Sequence, residues 1–446
     1  MMRSLVLFCV SIVLVSCGDS SQPQEPQDVA LVTFNVALAG AFIPYEQQRR
    51  EALGEAIAAI DADIVCLEEV WTQADKDMIR AAAEAKFPNA VLFENDLDTS
   101  IDDPTDQDGQ VPPAPTTVPC TDTPAFLGEG TVEEQMTAAI DCISEHCNTI
   151  APDDEAGQTT STTCAEVACL AEVASLAVSP DSQQQRCYAC IATQLPTSTF
   201  GEIRASCPSV INQVLAFEGQ NGVMILSRHP LKNAENWVLP GTWNRRSILS
   251  ATAELPNGAE LDVYCNHLTP IFDSVAYPYT GQYGNGMSGA AGWQAEQELQ
   301  AQKLISYVTE TSDGRPAVIL GDMNTGSAYS AEDPADDIVA EGEETLNILE
   351  ASFSPAYTAD YTPLCTYCST NPVTNPDDDP DVLSTWIDHI LLYNFPADSV
   401  VSTARVYDEP VVLVNDMTMP DEEILVPLSD HYGMRSVITV PASLEE

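Results

Sequence analysis

Three of the chain's five histidines fall in short segments that also carry an acid or an amide: YCNHL with His267, TWIDHIL with Asp388 and His389, and LSDHYGM with Asp430 and His431. Three more segments end an apolar run on ligating groups: VTFNV with Asn35, VCLEEV with Glu68 and Glu69, and ILGDMN with Asp322 and Asn324. Carboxylates and carboxamides without thiolates suit a hard divalent cation, Mg²⁺ or Mn²⁺, rather than zinc. Such an ion binds phosphate oxygens. An imidazole beside a carboxylate adds a base for water and a donor for charge building on phosphorus. The set points to hydrolysis of a phosphate ester, and no serine elbow, phosphate-cradling Gly loop or H-E-x-x-H helix competes with it. Singly, each residue has a structural explanation, since Asn35 and Asn324 can cap turns and Asp388 can tie a loop. The argument rests on six polar strand ends together. His146 and His229 read as surface residues.

These residues need a scaffold that brings strand ends together. VALVTFNVAL reads as a strand, RREALGEAIAAIDA as a helix and DIVCLEEVW as a strand, which is a parallel crossover. The helix ADKDMIRAAAEAKF follows, and VLFEND begins another strand. Strand texture resumes at NGVMILSRHPL and continues through RRSILSATAEL, ELDVYCNHLTP, RPAVILGDMN, STWIDHILLY, ARVYDEPVVLV and HYGMRSVITVP, with the helix AEQELQAQKLISYV before RPAVILGDMN. The class is α/β, in which ligands gather where strand ends meet. The Gly- and Tyr-rich stretch AYPYTGQYGNGMSGAAG reads as an exposed loop.

Between these halves the texture changes. Residues 98–119 are rich in Asp, Pro and Thr and read as a solvated linker. Three helical segments then each carry a Cys pair, and eight of the fourteen cysteines crowd there. Residues 98–214 read as an acidic linker plus a disulfide-stapled helical insertion, with zinc at CYAC as the alternative. Spacing leaves the connectivity open. Cys365 and Cys368 form a local CTYC, whereas Cys66 and Cys265 lie in apolar runs and read as buried thiols.

In order, TFNV, DIVCLEEVW, NGVMILSRHPL, NHL, GDMN, WIDHILL and SDHYG resemble the endonuclease/exonuclease/phosphatase superfamily, which includes deoxyribonuclease I, abasic-site endonucleases, inositol-polyphosphate phosphatases and sphingomyelinases. The resemblance implies a deoxyribonuclease I-like four-layer α/β/β/α sandwich formed by residues 30–97 and 215–446. It makes Glu69 the principal metal ligand, with Asn35 oriented toward metal or phosphate and Asp430 toward metal or water. Asp322 and Asn324 would position water and phosphate. His431 would be the base or transition-state stabiliser, oriented by Asp388, and His267 would donate to a phosphoryl oxygen or the leaving group. Asn35, Asn324 and His267 would thus touch substrate. Which histidine is acid and which is base stays open. The family's usual Gln before the metal ligand is Glu68 here, which implies an extra negative charge near the metal. His389 sits at a position that varies in the family, with a direct role left open.

The run MMRSLVLFCVSIVLVSC has an early Arg3, an apolar stretch of export-signal length and small residues before Cys17. LVSC resembles a bacterial lipobox, implying cleavage before Cys17, its acylation, a tether over residues 18–29 and a place on the bacterial envelope, with release also open. Formal net charge is −52, from 68 acidic and 16 basic residues. Binding to nucleic acid is disfavoured, because phosphate backbones call for basic surfaces. The expected activity is an extracytoplasmic, sphingomyelinase-like phosphodiesterase, whose acidic rim tolerates a cationic choline headgroup. One alternative is a secreted endonuclease or nucleotide phosphodiesterase, with Arg228, Lys232, Arg245 and Arg246 along a nucleic-acid path. Another is an inactive surface lipoprotein that binds a partner through the insertion. Topology places the insertion near the substrate face, as a lid or recognition module.

Overall fold

Strand β1 (Gln27–Leu38) is apolar on both faces because both are covered. Val29 and Leu31 enter one core, while Val32, Phe34, Val36 and Leu38 enter another, as a two-residue period requires. The chain crosses through α1 (Glu46–Ala59) to a parallel β2 (Ile64–Val70), the crossover expected from the sequence. The computed structural model describes residues 25–92, 118–147, 164–165, 168–195, 198–209, 216–272, 287, 289–376, 378–414 and 423–442. The export signal, Cys17, most of the tether, nearly all of the acidic linker and most of the Gly/Tyr loop lie outside these residues.

The first sheet continues from β2 to β4 (Met224–Ser227) and the short β3 (Asn89–Val91); on its other side β1 pairs with β14 (Gly433–Val440), and β14 with β11 (Val400–Val406). In order, the second sheet contains β5 (Leu231–Leu239), β6 (Arg246–Glu254), β7 (Glu260–His267), β8 (Ala317–Asp322), β10 (Asp388–Tyr393) and β9 (Ser354–Pro355). The sheets face each other across a core that includes Leu31, Ile64, Ile225, Leu249, Val263, Leu320 and Ile390. α1 and α2 (Gln73–Ala83) cover the outer face of the first sheet through Leu53, Ile57 and Ile79. On the second sheet, α7 (Ala290–Thr311) and α8 (Glu343–Glu350) do the same through Leu304, Val308 and Leu349. The expected α/β/β/α sandwich is therefore the observed one. ARVYDEPVVLV is not one strand: the chain leaves β11 at Tyr407, which adopts φ 61°, and its remainder is β12 (Val411–Val414), paired with β13 (Glu423–Val426).

The insertion's described part has its own small core. α3 (Val132–His146) starts with a Thr131–Glu134 capping box, and α4 (Leu170–Ala177), α5 (Ser182–Gln194) and α6 (Phe200–Ser206) follow. Met136, Ile140, Leu176, Ile191 and Ile203 pack together. Disulfides Cys120–Cys187, Cys142–Cys169, Cys147–Cys164 and Cys190–Cys207 staple these helices. The two CYAC cysteines go to different partners, which excludes zinc at that motif. Cys365 pairs with Cys368. Cys66 and Cys265 are not free thiols but a sixth disulfide, with Cα atoms 5.4 Å apart. Alternation sends both side chains into the inter-sheet core, Cys66 from β2 and Cys265 from β7, so the bond ties one sheet to the other. No helix among the described residues is long and apolar enough to cross a membrane.

Candidate active site

The register that builds the second sheet also aligns its polar ends. His267 on β7 lies beside Asp322 on β8, and Asp322 lies beside Asp388 on β10. Each continues a row that faces the other sheet: Val263 and Cys265 before His267, Val318 and Leu320 before Asp322, and Ile390 and Leu392 after Asp388. From the first sheet, Asn35 continues the row of Val29 and Leu31, and Glu68 that of Ile64 and Cys66. One-sided alternation thus carries apolar side chains through the core and delivers polar ones at its mouth.

Asp322 is the hub. Its Oδ2 accepts from Asn35 Nδ2 at 3.0 Å and lies 3.3 Å from His267 Nε2 and 3.8 Å from His431 Nε2. Its Oδ1 accepts from the Asn324 backbone N–H at 2.8 Å. His431 Nδ1 is 2.8 Å from Asp388 Oδ2, and Asn35 Nδ2 also donates to Glu69 Oε1 at 3.3 Å. Ser429 Oγ donates to the Asn35 carbonyl and accepts from the His431 N–H, which holds Asp430 and His431 against β1. Glu69 and Asn324 both adopt left-handed backbone, φ 59° and 48°. Strained residues of this kind cluster where side chains must be aimed. Gly321 precedes Asp322 because a Cβ there would sit 2.0 Å from the Asn266 carbonyl oxygen on β7.

Burial sets the electrostatics. Asp322, Asp388, Asp430 and Glu68 are buried, and the described cations near them are Arg246 and Arg49. Burial, then Asp388, raises Asp322 to about 8, with His431 opposing. Glu69 is raised by burial and then Asp430. For His431, burial alone would depress the imidazole, but Asp388, Asp322 and Asp430 together hold it well above its ordinary value. His267 goes the other way, lowered by burial, Arg246 and His431. The pair therefore divides into a charged His431 and a neutral His267, which the sequence could not distinguish.

Glu68 departs from expectation. It receives Thr33 Oγ1 at 2.7 Å, and burial followed by Asp388 pushes its carboxyl well up, which opposes the extra negative charge expected of it. His389 also leaves the site. It is on the opposite face of β10, with Nε2 2.8 Å from the Thr325 carbonyl and Nδ1 2.7 Å from the Tyr357 hydroxyl, and it packs on Trp386. His229 is buried rather than on the surface, while His146 is exposed. Of the four cations read along a nucleic-acid path, Arg228 pairs with Asp63, Lys232 with Glu254 and Glu260, and Arg245 donates to the Gly219 carbonyl, whereas Arg246 lies at the site.

Trp71, Tyr367 and Arg49 escaped the sequence reading, and Arg246 was read only as a nucleic-acid contact. Arg246 is buried with Nε and Nη1 lacking partners, its guanidinium 5.8 Å from the Trp71 ring. Trp71 stacks on Phe217 at 4.6 Å. Tyr367 bridges the His431 backbone and tilts its ring toward the imidazole. Arg49 on α1 donates to the carbonyls of Val36, Ala37, Pro44 and Leu428, clamping the turns that carry Asn35 and Ser429. Nothing in their local patterns signals this, apart from the Trp that follows the VCLEEV strand.

The acids fit a divalent cation, because too few buried positive charges face them and an ion would favour their ionised forms. Asp322, Asp388 and His431 lie within ligand distance of one another, but His431 Nδ1 and Asp388 already bond to each other. A second grouping, Glu68 with Cys66 and Cys265, is spent on the disulfide. Oxygen donors at Glu69 and Asp430 remain, with Asn35 beside them, its Oδ1 accepting from the Ala37 N–H at 3.0 Å.

A cavity of about 480 Å³ opens on this cluster, with Glu69, His267, Asp322, Asn324, Asp430 and His431 on its wall. The model of the Endonuclease/Exonuclease/phosphatase family matches residues 32–431. No curated protein matches the sequence. Similar solved structures include sphingomyelinase C from Streptomyces griseocarneus, 13% identical, covering 92% of this chain and 99% of that one at TM-score 0.48. A variant of beta toxin from Staphylococcus aureus with bound magnesium ions is 12% identical over 92% and 99% at 0.49. Truncated Caenorhabditis elegans TDP2 is 10% identical over 93% and 98% at 0.44. With the family model spanning most of the chain and the six polar strand ends meeting as described, the chain belongs to the endonuclease/exonuclease/phosphatase family of phosphoester hydrolases.

Proposed function

We propose that the chain is an extracytoplasmic, sphingomyelinase-like phosphodiesterase that requires a divalent cation, Mg²⁺ or Mn²⁺. The observation that carries the hydrolytic reading is Asp322, held by Asn35 and flanked by the Nε2 atoms of His267 and His431. The NHL and SDHYG segments, the export signal and the scarcity of free cations support a lipid headgroup over nucleic acid. Six disulfides fit an oxidising compartment. A lipid anchor at Cys17 would keep the enzyme at the bacterial envelope.

Glu69 and Asp430, with Asn35 beside them, would hold the cation, which draws negative charge off the phosphoryl oxygens. Asp322, in the ionised form that a bound cation favours, takes a proton from water as the water oxygen bonds to phosphorus. The ester bond to the alcohol breaks, and the departing oxygen takes a proton from the His431 imidazolium that Asp388 sustains. Neutral His267 and the Asn324 amide orient the phosphoryl group. Arg246 offers two unpaired donors to its charge.

Purified chain lacking the signal should hydrolyse a choline phospholipid only with added Mg²⁺ or Mn²⁺, and His431→Ala should lose roughly 10²–10⁴-fold in kcat. Parallel assays on phosphoinositides, nucleotides and DNA across salt concentrations decide the substrate. Strong, salt-sensitive DNA cleavage with choline lipids untouched would replace this reading with the nuclease.

A further inference from the structure

The cavity above the acids is polar at one end only. Beyond the metal-binding acids its wall passes to the insertion, where Ile143 of α3, Val173 and Leu176 of α4, Ile191 of α5 and Leu195 close it off. Ala139, Ala165 and Ala192 keep the space open where larger side chains would fill it. Between the two ends, Phe42, Phe217 and Trp243 form an aromatic collar, with Phe217 stacked on Trp71 beside His267. Apolar walls facing water forfeit packing, and waters against them find few partners. The cavity's volume lies within the range of ligand pockets. Four disulfides tie the helices that bound it, so the space is held ready rather than formed on contact.

We infer that the insertion is an acyl-chain chamber: the enzyme draws the aliphatic chain of a single phosphodiester amphiphile into α3, α4 and α5 while its phosphate sits among Asp322, His267 and His431. This deepens the phosphodiesterase reading and rests on it for the phosphate end alone. The substrate class follows from the two ends of one cavity: a charged diester joined to an alkyl chain, taken as a single molecule rather than cleaved with its chain left in a bilayer. Apolar burial gives each added methylene a defined gain until the chamber is full.

The test uses the whole chain without its signal and n-alkylphosphocholines from butyl to decyl, below their micelle-forming concentrations. Binding is read by calorimetry with chelator present, and hydrolysis separately with Mg²⁺. Affinity should rise roughly two- to fourfold per methylene and then level off. In Ile191→Trp, and independently in Leu195→Trp, it should level off at a shorter chain, with folding checked by circular dichroism. Affinity that rises with length in wild type carries the chamber even if a variant misfolds. Hydrolysis with affinity indifferent to chain length overturns the chamber and leaves the phosphodiesterase standing. Length-dependent affinity without hydrolysis of any member does the reverse.

Discussion

At the scale of single residues, the site depends on which acids keep their protons. Glu68 is the clearest case, because burial and Asp388 raise its carboxyl well above the ordinary range while Thr33 donates to it. From the ordinary glutamate range upward, the folded state holds a proton that the unfolded state has released, so stability falls as pH rises. Glu68→Gln removes that loss. Thermal melts should show the variant gaining on wild type as pH rises above the ordinary glutamate range, and a gap that does not widen with pH would refute a raised Glu68. Asn35, Asp322, Asn324, Asp388 and His431 were legible in the sequence because each ends or follows an apolar run. Arg49 and Tyr367 were not, because they reach the site from segments whose own composition is ordinary.

At the scale of elements, β7, β8 and β10 act as one ruler. The pairings His267 with Asp322 and Asp322 with Asp388 depend on β8 lying close to β7, which Gly321 permits. Gly321→Ala drives a methyl into the Asn266 carbonyl. Because backbone must move, it should cost about 1–3 kcal/mol of stability. A shift of even about 1 Å in Asp322 should lower kcat on the order of 10²-fold, measured alongside denaturant melts. Retained activity at wild-type stability would show that the ruler has slack. The same strands show where pattern reading stopped: His389 was a candidate because it follows Asp388, but alternation turns it to the other face of β10, where Thr325 and Tyr357 hold it.

At the scale of the whole molecule, Cys66–Cys265 joins two sheets across 199 residues of sequence, immediately beneath the site. Closing so long a loop limits the unfolded chain, so replacing both cysteines with alanine should cost about 2–5 kcal/mol. Non-reducing urea melts would measure this, and an unchanged midpoint would mean that the core alone fixes the sheets. The insertion adds a second scale of organisation. Its eight cysteines announced stapled helices, and the structure makes those helices part of the cavity wall. The charge of −52 disfavours nucleic acid, and Arg228, Lys232 and Arg245 are engaged within the chain, which leaves Arg246 as the one of those four cations with unpartnered donors at the site.

Sequence by itself determined the layered α/β class, the parallel crossover from β1 to β2, and the residues that end the strands. Each of these is written in neighbours two to four positions apart, which set strand and helix periods. Only the tertiary structure decided that Cys66 and Cys265 are bonded, that the Glu68 carboxyl and the His431 imidazole are both pushed up, and that an apolar wall faces the acids. Those properties arise from desolvation and from contacts between segments hundreds of residues apart, which no local period records.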